Sequence, residues 1–159
     1  MEKSVLLVGG VPNTGKTTTL NTISKKLKKN GYALIKSQNT GMQRKDKLYF
    51  LEGKDSKGKN VSIVINTAAD DVKSINNFDV FLQENPCDII ITAIRSFGKE
   101  RNDILDVIKK YIQNDCFELE IPLAKITQRS SNKNTAMKWY ENSVETLAEH
   151  ILKSTPFSL

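Results

Sequence analysis

Histidine is almost absent from this sequence: His150 stands alone, and the two cysteines, Cys87 and Cys116, lie far apart with no CxxC spacing. That is too few soft ligands for a structural zinc site, and two isolated thiols read as reduced, part-buried side chains. Long hydrophobic runs are missing as well; nothing approaches the ~18 consecutive apolar residues that a membrane helix requires. Met1-Glu2-Lys3-Ser4 leads at once into a short apolar run ending at Gly9. That run is too short for a signal peptide and no small-residue cleavage site follows, so a cytoplasmic location with no membrane partner is expected. Arginine is scarce: of 24 basic residues only 4 are Arg, against 20 Lys. The net charge of +6 therefore reads as Lys-rich solvated faces. A nucleic-acid surface would use Arg forks and exposed aromatics more freely, and nucleic acid is not expected as a partner. Repeats and low-complexity linkers are absent too, so one domain spanning 1–159 is expected, long enough to bury its own core.

What is present is an alternation of strand-like and helix-like segments. Ser4 to Val8 predicts a buried strand, followed by a glycine-containing turn and a helix from Lys16 to about Lys29 with Leu20, Ile23 and Leu27 on one face. Tyr32 to Lys36 predicts a second strand, and Ser37 to Lys47 a polar loop. Leu48–Leu51 and Val61–Ile65 flank the turn-rich Asp55-Ser56-Lys57-Gly58 and predict a hairpin. Asn77 reads as the cap of a short helix with Phe78, Phe81 and Leu82 inward, ended by Pro86. Asp88 to Thr92 is strand-like and fully apolar at its centre. Asp103 to Gln113 has helical spacing, Ile121 to Ile126 predicts a last strand, and Met137 to about Leu152 a last helix carrying Tyr140, Val144, Leu147, Ala148 and Ile151. The fold class expected is α/β, a three-layer arrangement around a mostly parallel sheet with one β-hairpin.

Between the first strand and the first helix lies Gly10-Val11-Pro12-Asn13-Thr14-Gly15-Lys16-Thr17, the pattern G-x-x-x-x-G-K-[ST] without a departure. Each residue type has a physical reason. Gly10 and Gly15 allow backbone conformations that a side chain forbids, so successive N–H groups of residues 13 to 17 can turn inward on an anion. The helix that starts at Lys16 directs its positive dipole end at the same place. Lys16 supplies a mobile cation for β- and γ-phosphates, Thr17 a hydroxyl for Mg²⁺, and Asn13, Thr14 and Thr18 complete the surroundings of the phosphates. The pattern resembles the Walker A motif of P-loop NTPases, a likeness confined to the first thirty residues. It implies a P-loop fold that binds ATP or GTP with Mg²⁺.

Such enzymes add an acidic residue at the end of a neighbouring strand. Asp70 or Asp71, after the strand Val61–Ile65, is the candidate metal ligand, with solvated or helix-capping acids as the plain alternative; Asp88 precedes its strand and is at the wrong end. The layout of loop, helix, polar segment and hairpin resembles Ras-type small GTPases, with Thr40 as a candidate switch threonine. Asn66-Thr67-Ala68-Ala69 replaces the metal-facing acid of their D-T-A-G turn with Asn and the glycine with Ala. Thr127-Gln128-Arg129 follows the last strand without the acid of an N-K-x-D motif, so guanine selectivity is not implied; Gln128 and Arg129 either border the base or sit in a solvent loop. The size and a parallel second strand are similar to small P-loop kinases, and the strand followed by the basic segment Arg95 to Arg101 is similar to adenylylsulfate kinases, which the hairpin at Leu48 to Ile65 does not fit. Arg95 and Arg101 are the candidates for stabilising charge during phosphoryl transfer, with an ordinary exposed loop as the alternative. Three readings stay open: a Mg-dependent nucleoside-triphosphatase cleaving the γ-phosphate, a small kinase with a nucleotide or metabolite acceptor, and a non-catalytic nucleotide sensor with a protein partner.

Overall fold

The strand that leads into this loop, β1 (Ser4–Gly9), is buried along its whole length because it has a parallel partner on each side. In the computed structural model, which describes residues 3–40, 45–112, 116–124 and 133–159, those partners are β5 (Ile89–Ile94) and β6 (Phe117–Pro122). The remaining strands are β2 (Ala33–Asn39), β3 (Lys47–Lys54) and β4 (Asn60–Asn66), and the sheet order is β2-β3-β4-β5-β1-β6. β4, β5, β1 and β6 pair in parallel, whereas β3 is antiparallel to both its neighbours. The described residues also form four helices: α1 (Lys16–Lys29), α2 (Val72–Glu84), α3 (Lys99–Tyr111) and α4 (Lys133–Lys153). α1 packs with α4 and α2 with α3, an arrangement compatible with a three-layer α/β fold.

The core follows from the apolar spacing. Val5 to Val8 and Ile89 to Ile91 are at most 2% exposed and fill both faces of the central strands, as expected for strands covered by helices on two sides. Leu20, Ile23 and Leu27 of α1, Phe78, Phe81 and Leu82 of α2, and Ile104, Val107 and Ile108 of α3 close onto them. Each such side chain contributes about 1.5–3 kcal/mol of burial.

Several boundaries differ from the sequence expectation, each for a physical reason. β2 runs on to Asn39 and, among the described residues, pairs only with the antiparallel β3, so the parallel second strand of the kinase layout is not found there. Lying at the sheet edge, it is exposed over nearly its whole length, and alternation could not reveal its extent. α2 starts five residues before Asn77: the Asp71 carboxylate accepts from the Ser74 amide at 2.9 Å and is the cap, while Asn77 sits inside the helix and donates to the Thr40 carbonyl. α3 begins at Lys99, immediately after Gly98, rather than at Asp103. The last strand is Phe117–Pro122 instead of Ile121–Ile126; its glutamates disguised it, and residues 125 and 126 lie outside the described residues. α4 starts at Lys133, and Leu147, expected on its apolar face, is 45% exposed.

Candidate functional site

All four parallel strands end at one edge of the sheet, so the segments that follow them, 10–15 after β1, 67–71 after β4 and 95–98 after β5, gather there. Open α/β sheets place ligand sites in this position. The segment 10–15 turns sharply into α1. Gly15 adopts φ 91°, a left-handed conformation costly for any residue with a Cβ, and Asn13 is held at φ 64°. A Cβ on Gly10 would collide with the Thr14 hydroxyl, which donates to the Val11 carbonyl at 2.9 Å. No side chain caps α1, so its first-turn amides are left for another acceptor.

Lys16 is only 6% exposed and folds back over the turn, donating to the carbonyls of Gly10 at 2.9 Å and Val11 at 3.1 Å. Burial holds its pKa below the usual lysine value; the Asp70 charge opposes that shift and the Arg95 charge adds to it. The same interactions show that Lys16, Asp70 and Arg95 share one electrostatic neighbourhood. Arg95 Nε stands 2.8 Å from Asp70 Oδ1 and Nη2 donates to the Asp70 carbonyl at 3.5 Å. The Nε–H makes no aligned hydrogen bond, so the contact is chiefly electrostatic.

Thr17 donates through Oγ1 to the carbonyl of Thr67 at 3.0 Å, linking α1 to the end of β4. Thr67 in turn accepts from the Lys47 amide at 2.7 Å, which carries the link to the start of β3. Thr40 is 2% exposed and bound to α2 through Ser74 and Asn77, not to the loop 10–15. Of the two candidate acids, Asp70 reaches this neighbourhood, whereas Asp71 is committed to capping α2. β4, which carries them, is separated from β1 by β5 and is not its neighbour in the sheet. Asn66, at the position of the replaced acid, is fully buried and donates to Thr92 Oγ1 at 3.1 Å while accepting from the Ala68 amide. Asp88 accepts from the Ser62 amide and hydroxyl at 2.9 Å each, at the opposite end of the sheet.

Arg101 is brought near Arg95 in a different role. Its guanidinium grips both oxygens of Glu120 at 3.0 and 2.7 Å and donates to the Arg95 carbonyl at 2.9 Å, tying the loop 95–98 to β6. That fork raises the Arg101 pKa further. Gln128 and Arg129 lie outside the described residues.

Beside the loop opens a cleft of about 460 Å³ between α1 and α4. Asn13, Thr14, Gly15 and Thr18 border it at the loop, and Lys45, Tyr140 and Glu141 are among the residues along its walls. The sequence did not single out these last three as site residues. Tyr140 belongs to a helical apolar pattern, which indicated burial but not that the buried face lines a cavity. At the cleft's far end Lys26 is held 3.0 Å from both Glu145 and Glu149, which raises the lysine's pKa; Lys153, 2.7 Å from Glu149, and then Lys26 bring Glu149 down to about 2.

As for a metal, the described residues contain no group of three or more His, Cys, Asp or Glu side chains that could cage an ion. The two oxygen donors named from the sequence are both engaged within the fold, the Thr17 hydroxyl with the Thr67 carbonyl and the Asp70 carboxylate with Arg95. No helix among the described residues is long and apolar enough to cross a membrane.

No family model matches the chain. In an alignment of 70 positions that covers 37% of this chain, it is 30% identical to Protein MLP1 of Saccharomyces cerevisiae, and the match spans only 4% of that protein's length. Among solved structures, APE1195 aligns over 99% of this chain and 80% of its own, with a TM-score of 0.40 and 12% identity. A Plasmodium falciparum chain carrying the name nucleolar GTP-binding protein 1 aligns over 95% and 91%, with a TM-score of 0.27 and 14% identity. Similarities this distant assign neither a family nor an activity, and the function rests on the site itself.

Proposed function

We propose that the chain binds a nucleoside triphosphate, ATP or GTP, through the loop 10–17 as a P-loop, and cleaves its γ-phosphate with the help of Mg²⁺. The observation that carries this reading is the coincidence of an unbroken G-x-x-x-x-G-K-T pattern with a left-handed turn, an uncapped helix start and a buried, partly desolvated lysine. A bound triphosphate would take the place of the Gly10 and Val11 carbonyls as acceptor for Lys16 and receive the free amides of the first turn. Thr17 and Asp70 would hold Mg²⁺, whose contribution is to neutralise charge on the phosphate oxygens. Arg95, coupled electrostatically to Lys16, is the group suited to charge developing during phosphoryl transfer. Arg101, engaged with Glu120, positions the Arg95 backbone instead. The sensor reading keeps one specific support: Asn66 stands where an acid would be, and its amide is spent inside the fold.

The experiment is phosphate release from ATP and GTP with Mg²⁺, run with and without a panel of metabolite acceptors, alongside calorimetric titration of the same nucleotides. Release without an acceptor supports the triphosphatase. Turnover only with an acceptor supports the kinase, and binding without turnover supports the sensor. Lys16→Ala should weaken binding in every case, and unaltered affinity would overturn the shared premise. Arg95→Ala should lower turnover more than affinity.

A further inference from the structure

We propose that the cleft between α1 and α4 seats the base of the bound nucleotide and selects guanine, with Glu141 and Lys45 as its readers; this rests on the triphosphate reading of the loop 10–17. The cleft is continuous with that loop, since Asn13, Thr14 and Gly15 border both. A ligand held by its phosphates at the start of α1 therefore extends its nucleoside along the helix, past Thr18. Its volume of about 460 Å³ lies in the range of small-molecule sites, and apolar side chains such as Ile23, Met137 and Val144 supply the surface a flat base needs.

The charges set the ligand's direction and identity. Lys26 and Glu145, at the far end, neutralise each other at 3.0 Å. Glu141 and Lys45 also line the cleft, yet neither forms an ion pair among the described residues. A carboxylate with no ion-pair partner among the described residues keeps a phosphate away from that wall, so the phosphates belong at the loop and the nucleoside within. A base that satisfies both charges must present adjacent N–H donors to the carboxylate and an acceptor to the ammonium. Guanine does so, with N1–H and the N2 amino group beside O6 and N7. Adenine presents the reverse along the same edge: a lone pair at N1 facing the carboxylate and an amino group facing the cation. The selective acid is thus supplied from α4 and not from the segment after the last strand, where the sequence lacked one.

Calorimetric titration of the full chain with GTP, ATP and inorganic tripolyphosphate, each with Mg²⁺, tests this. GTP is expected to bind roughly tenfold or more tightly than ATP, the discrimination one bidentate pair provides. Glu141→Gln should erase most of that preference while leaving tripolyphosphate affinity unchanged, and Lys45→Gln should reduce it. Both positions are exposed, so the substitutions leave the core intact, and circular dichroism verifies the fold. Equal or tighter binding of ATP by the unmodified chain, or a GTP preference that survives Glu141→Gln, overturns the inference. If tripolyphosphate binds and the two nucleotides do not differ, only the base assignment falls. If tripolyphosphate itself fails to bind, the reading of the loop falls with it.

Discussion

Replacing Lys16 with Met separates a binding lysine from a structural one. The ammonium donates to two carbonyls, at 2.9 and 3.1 Å, and each bond to a charged donor is worth about 1.5–3 kcal/mol. Against this stands the burial that depresses its pKa. Met retains most of the stem volume, and the Val11 carbonyl keeps the Thr14 hydroxyl as a donor at 2.9 Å. The main loss is the donor to Gly10, partly offset by no longer desolvating a charge, and the expected destabilisation is about 1–2 kcal/mol. Binding should respond far more. An ammonium about 4 Å from a phosphate charge gains roughly 4 kcal/mol at an effective dielectric of 20, part of which replaces the two carbonyl bonds. A net loss of about 2–3 kcal/mol corresponds to a roughly 30- to 150-fold weaker triphosphate complex. Urea unfolding measures the first quantity and calorimetric titration with tripolyphosphate the second. Affinity unchanged within about threefold would refute the reasoning, most plainly if stability fell by more than about 3 kcal/mol. The depressed pKa gives a further signature: only the protonated amine favours the anion, so affinity should decline as pH rises through the lowered lysine pKa, and the Met variant should lose that decline.

Other consequences follow from the remaining contacts. The Arg101–Glu120 fork, with side chains about a quarter to a third exposed, should give a coupling of about 1 kcal/mol in a double-mutant cycle of Arg101→Gln and Glu120→Gln followed by urea unfolding; no coupling would remove its proposed role in fixing the loop 95–98. Asp71→Ala should cost about 1 kcal/mol through loss of the α2 cap without altering triphosphate affinity, whereas Asp70→Asn should change Mg²⁺-dependent binding with little effect on stability; the opposite pattern would exchange their roles. Cys87 is buried, with its thiol pushed up to about 12, so iodoacetamide at pH 8 should leave it unmodified in the native protein and label it after unfolding, as mass spectrometry of peptides would record.

The loop 10–17 and α1 were legible because their information is contiguous. A glycine at a left-handed position, a lysine one residue later and a helix of 3.6-residue period need no distant partner to be recognised. The hairpin of β3 and β4 was legible for the same reason, through its turn residues. Strand β6 was displaced because Glu118 and Glu120 break the apolar run, and one of them has its reason far away in the Arg101 fork. Adjacent acids at 70 and 71 are equivalent in one dimension. Only the packing of α2 turned one into a helix cap, and only the approach of the loop after β5 drew the other to Arg95 and Lys16. The sequence determined the chemical types present in the loop 10–17, on which the proposed phosphate site depends. The order of the strands decided which side chains face each other across the sheet edge and the α1–α4 cleft, because contacts such as Lys26 to Glu149, separated by 123 positions, depend on the path of the whole chain.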